Sequence, residues 1–226
     1  MKDMNTEEAI RVRKTLKVRV DPKQPLPLTK GEHFKVVMKE LIELAGQAPF
    51  HYESAKAQRT KSLDGVEPWR FHALSGETCR EVLAAFKQNK PQKTPEGIKQ
   101  MLAAADGLIL GTWLPEKSRR RAGKYYPNLK NMEHIAATGA AIQNLLLAAT
   151  SRGINAYWSS GGVLRKKKVL QFLGIPVQEI LLGAIFLFPE DYPITAETKK
   201  GKNVDKRGAV QDFMDWAQIK EYSNNQ

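Results

Sequence analysis

Residues 133–152 narrow the possible fold more than any other stretch. Ile135, Gly139, Ile142, Leu146 and Ala149 recur there at helical spacing, and Ala136, Ala140, Leu147 and Ala148 fill the other side. A helix that is apolar nearly all round has to be buried. Its small residues also let a second helix approach closely. Gly153 follows as the stop residue just past the helix end. Enclosing such a helix takes a sizeable core. A chain of 226 residues, 42% of them hydrophobic, can supply one as a single domain spanning 1–226.

The remaining pattern supplies the enclosing elements. Thr6 caps a first helix with Glu7 and Glu8 in its first turn, expected to end near Lys17. Pro22, Pro25 and Pro27 then exclude a helix interior. Thr29 caps a second helix reaching Gly46, with Phe34, Val37, Met38, Leu41, Ile42 and Ala45 at helical spacing. Residues 50–67 form a polar, basic, unpatterned loop, long enough to be functional, mobile or both. Strands are expected at 70–74, 108–113, 154–158 and 180–188, and further helices at 76–89, 98–105, 169–173 and 209–220. Residues 115–131 make a second basic loop. Helices come first, then strands interleaved with helices, so the fold class is α+β, with a mixed or mostly antiparallel central sheet flanked by helices.

Composition removes several functions. A single cysteine, Cys79, excludes an internal disulfide framework and reads as structural. No Gly-x-Gly-x-x-Gly follows a strand and no phosphate-binding Gly-x-x-x-x-Gly-Lys-Ser/Thr occurs. The four histidines, His33, His51, His72 and His134, lack metal-ligand spacing. The first residues carry no apolar signal-peptide core, and the longest apolar runs fall short of the ~20 residues a membrane helix needs. A cytoplasmic location is expected. A formal charge of +12, from 36 Lys and Arg against 24 Asp and Glu, favours anionic partners. A solvated basic surface is the blander account of the same number.

Three constellations carry chemistry. Arg13-Lys14-Thr15-Leu16-Lys17 near the start is answered by Lys206-Arg207 near the end. Cations with a hydroxyl among them suit a phosphate monoester, although basic residues at a helix end also simply complement its dipole. Trp158-Ser159-Ser160-Gly161-Gly162 ends a strand in two hydroxyls and two glycines, so backbone can approach a flat ligand closely. The same residues would also serve as an ordinary turn. A phosphate monoester and a planar ring are the two ends of flavin mononucleotide, FMN, and backbone donors at the ring's N5 and O4 edge would favour hydride acceptance.

In their order along the chain, these motifs resemble the nitroreductase family, most closely its smaller YdjA-like branch. The family's opening Ile-x-x-Arg-Arg-Ser-x-Arg reads here as residues 10–17. Its Ala-Pro and Gln-Pro-Trp-Arg-Phe read as Ala48-Pro49 and Glu67-Pro68-Trp69-Arg70-Phe71. Its Gly-Ala-Ala helix is nearly verbatim at 139–149. Its Gly-x-x-x-x-Trp-x-Ser-Gly, Leu-Gly-Ile-Pro and closing strand fall at 153–161, 173–176 and 182–188.

The resemblance implies a homodimer with flavin at the subunit interface and the long helix in the dimer core. It implies an FMN-dependent NAD(P)H oxidoreductase, a flavoprotein working by ping-pong hydride transfer on small nitroaromatic, quinone or enone acceptors, with NADH or NADPH as reductant. Arg13, Lys14, Thr15 and Arg207, with Lys206 beside it, would hold the FMN phosphate and ribityl chain. Lys17 would sit at the N1/O2 edge, and Trp158, Ser159, Ser160 and Gly161 would line the ring. Gln47 and His51 occupy positions that reach the partner subunit's flavin. No side chain is required as a general acid, because water or a flavin-edge hydrogen bond can deliver protons. Lys14, Thr15 and Lys17 stand for the family's Arg, Ser and Arg. Gln47 replaces a cation, Glu67 replaces an amide, and the 50–67 loop is an insertion. The alternative is a non-catalytic protein on the same fold that binds flavin or nucleic acid, the latter through Arg119-Arg120-Arg121 and Tyr125-Tyr126.

Overall fold

The computed structural model describes residues 4–28, 31–116, 127–192, 196–201 and 203–218. Its centre is a four-stranded sheet built from β2 (Trp69–Ser75), β3 (Gly107–Trp113), β5 (Ile180–Phe188) and β4 (Asn155–Ser159), in that spatial order. Every pairing is antiparallel, which resolves the mixed-or-antiparallel expectation. Side-chain alternation sends Leu108, Leu110, Ala184 and Phe186 to one face and Ile109, Ile185 and Leu187 to the other.

Each face is covered by helices. α3 (Gly76–Lys87), α4 (Glu96–Ala104) and α6 (Lys167–Phe172) bury Cys79, Val82, Phe86, Met101, Leu102, Val169 and Leu170 against the first. α2 (Gly31–Ala45) and α5 (Leu129–Ser151) cover the second. α2 buries Phe34, Met38, Leu41 and Ala45, one face of a helix. Thr29, its expected cap, lies outside the described residues. α5 buries Ala137, Ala141, Ile142, Leu145, Leu146 and Ala149, and Gly153 ends it with φ +72°. Its other side is less covered than the sequence suggests. Ile135, Gly139, Ala140 and Leu147 are only half-buried. Cys79 is fully buried behind β2, with burial pushing its thiol up to about 12.

Three expectations need correction. α1 (Thr6–Val12) is capped by Asn5, whose side chain accepts from the Glu8 amide at 2.9 Å, so Thr6 is not the cap. α1 also stops five residues short of Lys17. Leu16–Arg19 is strand β1, because Leu16 and Val18 alternate with Lys17 and Arg19 and only the apolar pair is buried. It pairs antiparallel with β6 (Glu197–Lys200), Leu16 facing Lys200 and Arg19 facing Glu197. The expected helix at 209–220 is absent from its described part, where a 3-10 turn at Val210–Asp212 leads into irregular chain. Aspartates at 212 and 215 close local turns there, and Phe213 and Trp216 remain 76% and 79% exposed.

The 50–67 loop is stapled. Ser54 is buried and bonds through amide and hydroxyl to the Val66 carbonyl, and Arg59 bonds back to Ser54. Arg70 goes further. Its buried guanidinium donates five hydrogen bonds to the carbonyls of Leu63, Gly65, Glu67 and Trp69. Burial holds it below the ordinary arginine range, while the charge of buried Glu179 opposes that shift. Glu179 itself accepts the Thr112 hydroxyl at 2.5 Å and faces His72 Nε2 at 2.6 Å. Replacing Arg70 would leave these carbonyls unsatisfied. Arg70→Met is therefore expected to cost roughly 2–4 kcal/mol in urea unfolding and to expose the loop to limited proteolysis. Wild-type stability with unchanged cleavage would refute the clamp.

Candidate functional site

Two of the sequence-predicted cations, Arg13 and Arg207, lie near enough for their charges to interact. Arg13 ends α1, its amide bonded to the Ala9 carbonyl at 3.0 Å, and the chain then runs extended into β1. Its half-buried guanidinium is held below the ordinary arginine range, first by burial and then by the charge of Arg207. Two cations so placed repel each other. The β1–β6 ribbon explains this proximity, since it fastens the segment before Arg207 alongside the segment after Arg13. Lys206 ends a 3-10 turn at Val204–Lys206 and is exposed, as are Arg207 and Lys14, while Thr15 is half-buried.

Strand geometry decides what Lys17 does. Leu16 and Val18 anchor β1 in the core, which turns Lys17 to the other face. There its ammonium lies 4.7 Å from the centroid of the Tyr157 ring on β4, a cation–π contact. Lys17 is thereby brought beside the strand that ends in Trp158 and Ser159.

The turn after β4 is built on two glycines. Gly161 has φ +96° and Gly162 φ +51°, conformations other residues adopt only under strain. A Cβ on Gly161 would stand 2.6 Å from Leu181 Cδ2 and 3.0 Å from Arg165 Cγ, so there is no room for one. Ser159 is buried and its hydroxyl accepts the Gly161 amide at 3.1 Å. Ser160 is exposed, and its carbonyl accepts Arg165 Nη1 at 3.2 Å. Ser159 thus shapes the turn, and Ser160 faces outward.

Leu181 reaches this turn because of an irregularity in the sheet. Gly111 lies opposite Gly183 but Thr112 lies opposite Leu181, so Leu182 is an extra residue on β5. The bulge turns Leu181 onto the α3–α4 side, against Gly161. Nothing in the sequence marks it except the glycine at 183. That glycine also seats Trp158. A Cβ on Gly183 would fall 2.2 Å from Trp158 Nε1 and 2.8 Å from Cδ1, so the indole occupies the space a side chain there would take.

Among the described residues, Gln47 and His51 are not joined to this group. Both are exposed beyond the end of α2, and His51 Nδ1 sits 3.1 Å from Glu133 near the start of α5. Arg119, Arg120, Arg121, Tyr125 and Tyr126 lie outside the described residues. Among the described residues there is no histidine, cysteine and carboxylate group able to hold a metal ion, and no helix long and apolar enough to cross a membrane.

Gly183→Ala tests the seat of Trp158. Overpacking should lower stability by about 1–3 kcal/mol and shift the tryptophan emission as the indole is displaced. Unchanged stability and spectrum would show that the ring has room to spare.

Comparison with known proteins agrees with this architecture. Residues 34–187 match the model described as Nitroreductase family. YfhC of Bacillus subtilis (strain 168), provisionally named an NAD(P)H nitroreductase, is 29% identical over 198 residues, covering 84% of this chain and 86% of its own. A crystal structure of a nitroreductase-like family protein from Bacillus cereus has a TM-score of 0.62 at 19% identity, over 95% of this chain and 97% of that one. The FMN and NADPH-dependent nitroreductase NfnB of Sphigopyxis sp. strain HMH has a TM-score of 0.57 at 13% identity, over 96% and 100%. At such identities the two structures speak to the fold. The family model spans more than half of the residues, and the protein belongs to the nitroreductase family.

Proposed function

We propose that the protein is an FMN-dependent NAD(P)H oxidoreductase that reduces small electrophilic acceptors of the nitroaromatic, quinone or enone type, reductant and acceptor using the same face in alternation. The observation that carries this reading is the β1–β6 pairing, which brings the segment after Arg13 alongside the segment before Arg207, with half-buried Arg13 near enough to Arg207 for the two like charges to repel. A phosphate dianion between them would turn that repulsion into charge-assisted hydrogen bonding. When bound, FMN supplies two-electron hydride chemistry between a nicotinamide and the acceptor.

The protein's own groups have binding and electrostatic tasks. Arg13, Lys14, Thr15, Lys206 and Arg207 hold the phosphate and the sugar chain. Lys17, pinned over Tyr157, presents positive charge to the pole of the ring where negative charge gathers on reduction. Trp158, Ser160 and the glycine turn line the ring. The Gly161 amide is already donated to Ser159, so the segment's other amides would face the ring edge. Gln47 and His51 are assigned to the flavin of the partner subunit. Placement in the YdjA-like branch rests on motif order alone.

FMN binding and reduction test this reading. The purified protein should be yellow or take up FMN, and NADH or NADPH should bleach it under anaerobic conditions. Arg13→Ala and Arg207→Ala should each weaken FMN by about 1.5–3 kcal/mol, roughly 10- to 150-fold in Kd. Protein that binds no FMN would overturn the proposal. Protein that binds it but is never reduced would be the inert binder instead.

A homodimer completes the reading. α1 packs on α5, yet Ile10, Val12, Leu129 and Met132 stay exposed, as do Phe213 and Trp216 of the tail. Apolar surface on two neighbouring helices is what a second copy would cover. Sedimentation should give twice 25.4 kDa, and Ile10→Asp with Met132→Asp should shift it toward monomer. A monomeric wild type would rule out the shared interface.

A further inference from the structure

The described residues hold one more cationic cluster beside the ring-lining turn. Arg165-Lys166-Lys167-Lys168 follows Gly161 and Gly162 directly, with only Val163 and Leu164 between. All four are exposed, while Val163 and Leu164 before them and Val169 and Leu170 after them are buried. The run is therefore fixed at both ends by core side chains. It is also fastened to the turn, since Arg165 Nη1 donates to the Ser160 carbonyl at 3.2 Å. Among the described residues no carboxylate stands within ion-pair distance of any of the four, although ion pairs occur on α1, α2 and α4. Four cations in a row without counter-charge raise a positive potential at the mouth of the site.

The cations assigned to the flavin phosphate come from other segments, at 13–17 and 206–207, so this cluster is left over. NADH and NADPH differ in one group, a 2′-phosphate monoester carrying about −1.5 to −2 charge near pH 7. Lysines suit such a group as point charges, without the fixed geometry that a carboxylate asks of arginine. We propose that Lys166, Lys167 and Lys168, braced by Arg165, form the subsite for the 2′-phosphate of NADPH and set a preference for it over NADH. This rests on the reductase reading of the neighbouring turn. Each exposed charge contributes little alone. Their joint effect is the discriminating quantity, and it is screened by salt.

The test uses the full chain loaded with FMN and the triple variant K166S/K167S/K168S. Arg165 is kept because it braces the turn. Anaerobic stopped-flow gives the reduction efficiency with each nicotinamide, and calorimetry gives the affinity for 2′,5′-ADP against 5′-AMP, which needs no flavin chemistry. The wild type should prefer NADPH. The variant should lose on the order of tenfold or more with NADPH while NADH changes less than about twofold, and high salt should erode the wild-type preference likewise. Equal use of both nicotinamides by the wild type, or a preference that survives in the variant, overturns the subsite. If neither nicotinamide reduces the flavin, the reductase reading falls separately. The 2′,5′-ADP measurement then still decides: lysine-dependent tightening over 5′-AMP sustains the subsite, and its absence overturns it. Lysine-dependent binding of a single-stranded oligonucleotide more tightly than 2′,5′-ADP would also overturn it, marking a general polyanion surface.

Discussion

The close approach at one pair of glycines in the central strands underlies both the fold and the site. Gly111 on β3 and Gly183 on β5 face each other across the sheet. A Cβ on Gly111 would stand 3.0 Å from Ile142 Cδ1, so α5 packs its isoleucine directly onto bare strand. On the neighbouring strand the same absence receives Trp158. Larger residues at either place would push a covering group off the sheet, and interiors packed to crystal density have little slack to absorb that. The register shift begins at this pair too, so the spot that seats the helix also re-aims Leu181 toward the turn at Gly161.

Much of the molecule could be read before any coordinates. α2, α3, α5 and β5 carry long apolar patterns, and their limits fall within a few residues of those expected. The misses share a cause. β1 is four residues long, and its leucine–valine alternation was masked by the lysines and arginine it carries, which read as a helix end. β6, with sequence Glu-Thr-Lys-Lys, buries no apolar face of its own and exists because β1 offers a partner. Tertiary pairing of that kind leaves no local trace. The tail after residue 208 has an amphipathic look, but Phe213 and Trp216 stay exposed, and local Asp–amide bonds win instead.

The candidate site residues are marked by composition and order, but their arrangement is not. That the charges of Arg13 and Arg207 interact fits the motif order; the two-stranded ribbon joining the chain's early and late segments has no such mark in the sequence. Ser159, a candidate for lining the ring, has its hydroxyl engaged by the Gly161 amide, a bond that holds the turn. Lys17 is the polar side of a strand rather than the last turn of a helix, and it lies over the Tyr157 ring. Where like charges are held together in a folded chain, the electrostatic cost has to be offset by packing elsewhere, here by Leu16 and Val18 beneath the ribbon.

The grip of Arg70 on the 50–67 excursion has an evolutionary corollary. Its hydrogen bonds end on main-chain oxygens of Leu63, Gly65, Glu67 and Trp69, none on a side chain. Main-chain oxygens are common to every amino acid. The outward residues of that excursion can therefore drift freely in identity while its path stays put, and a lineage can re-dress this wall of the molecule without rebuilding it.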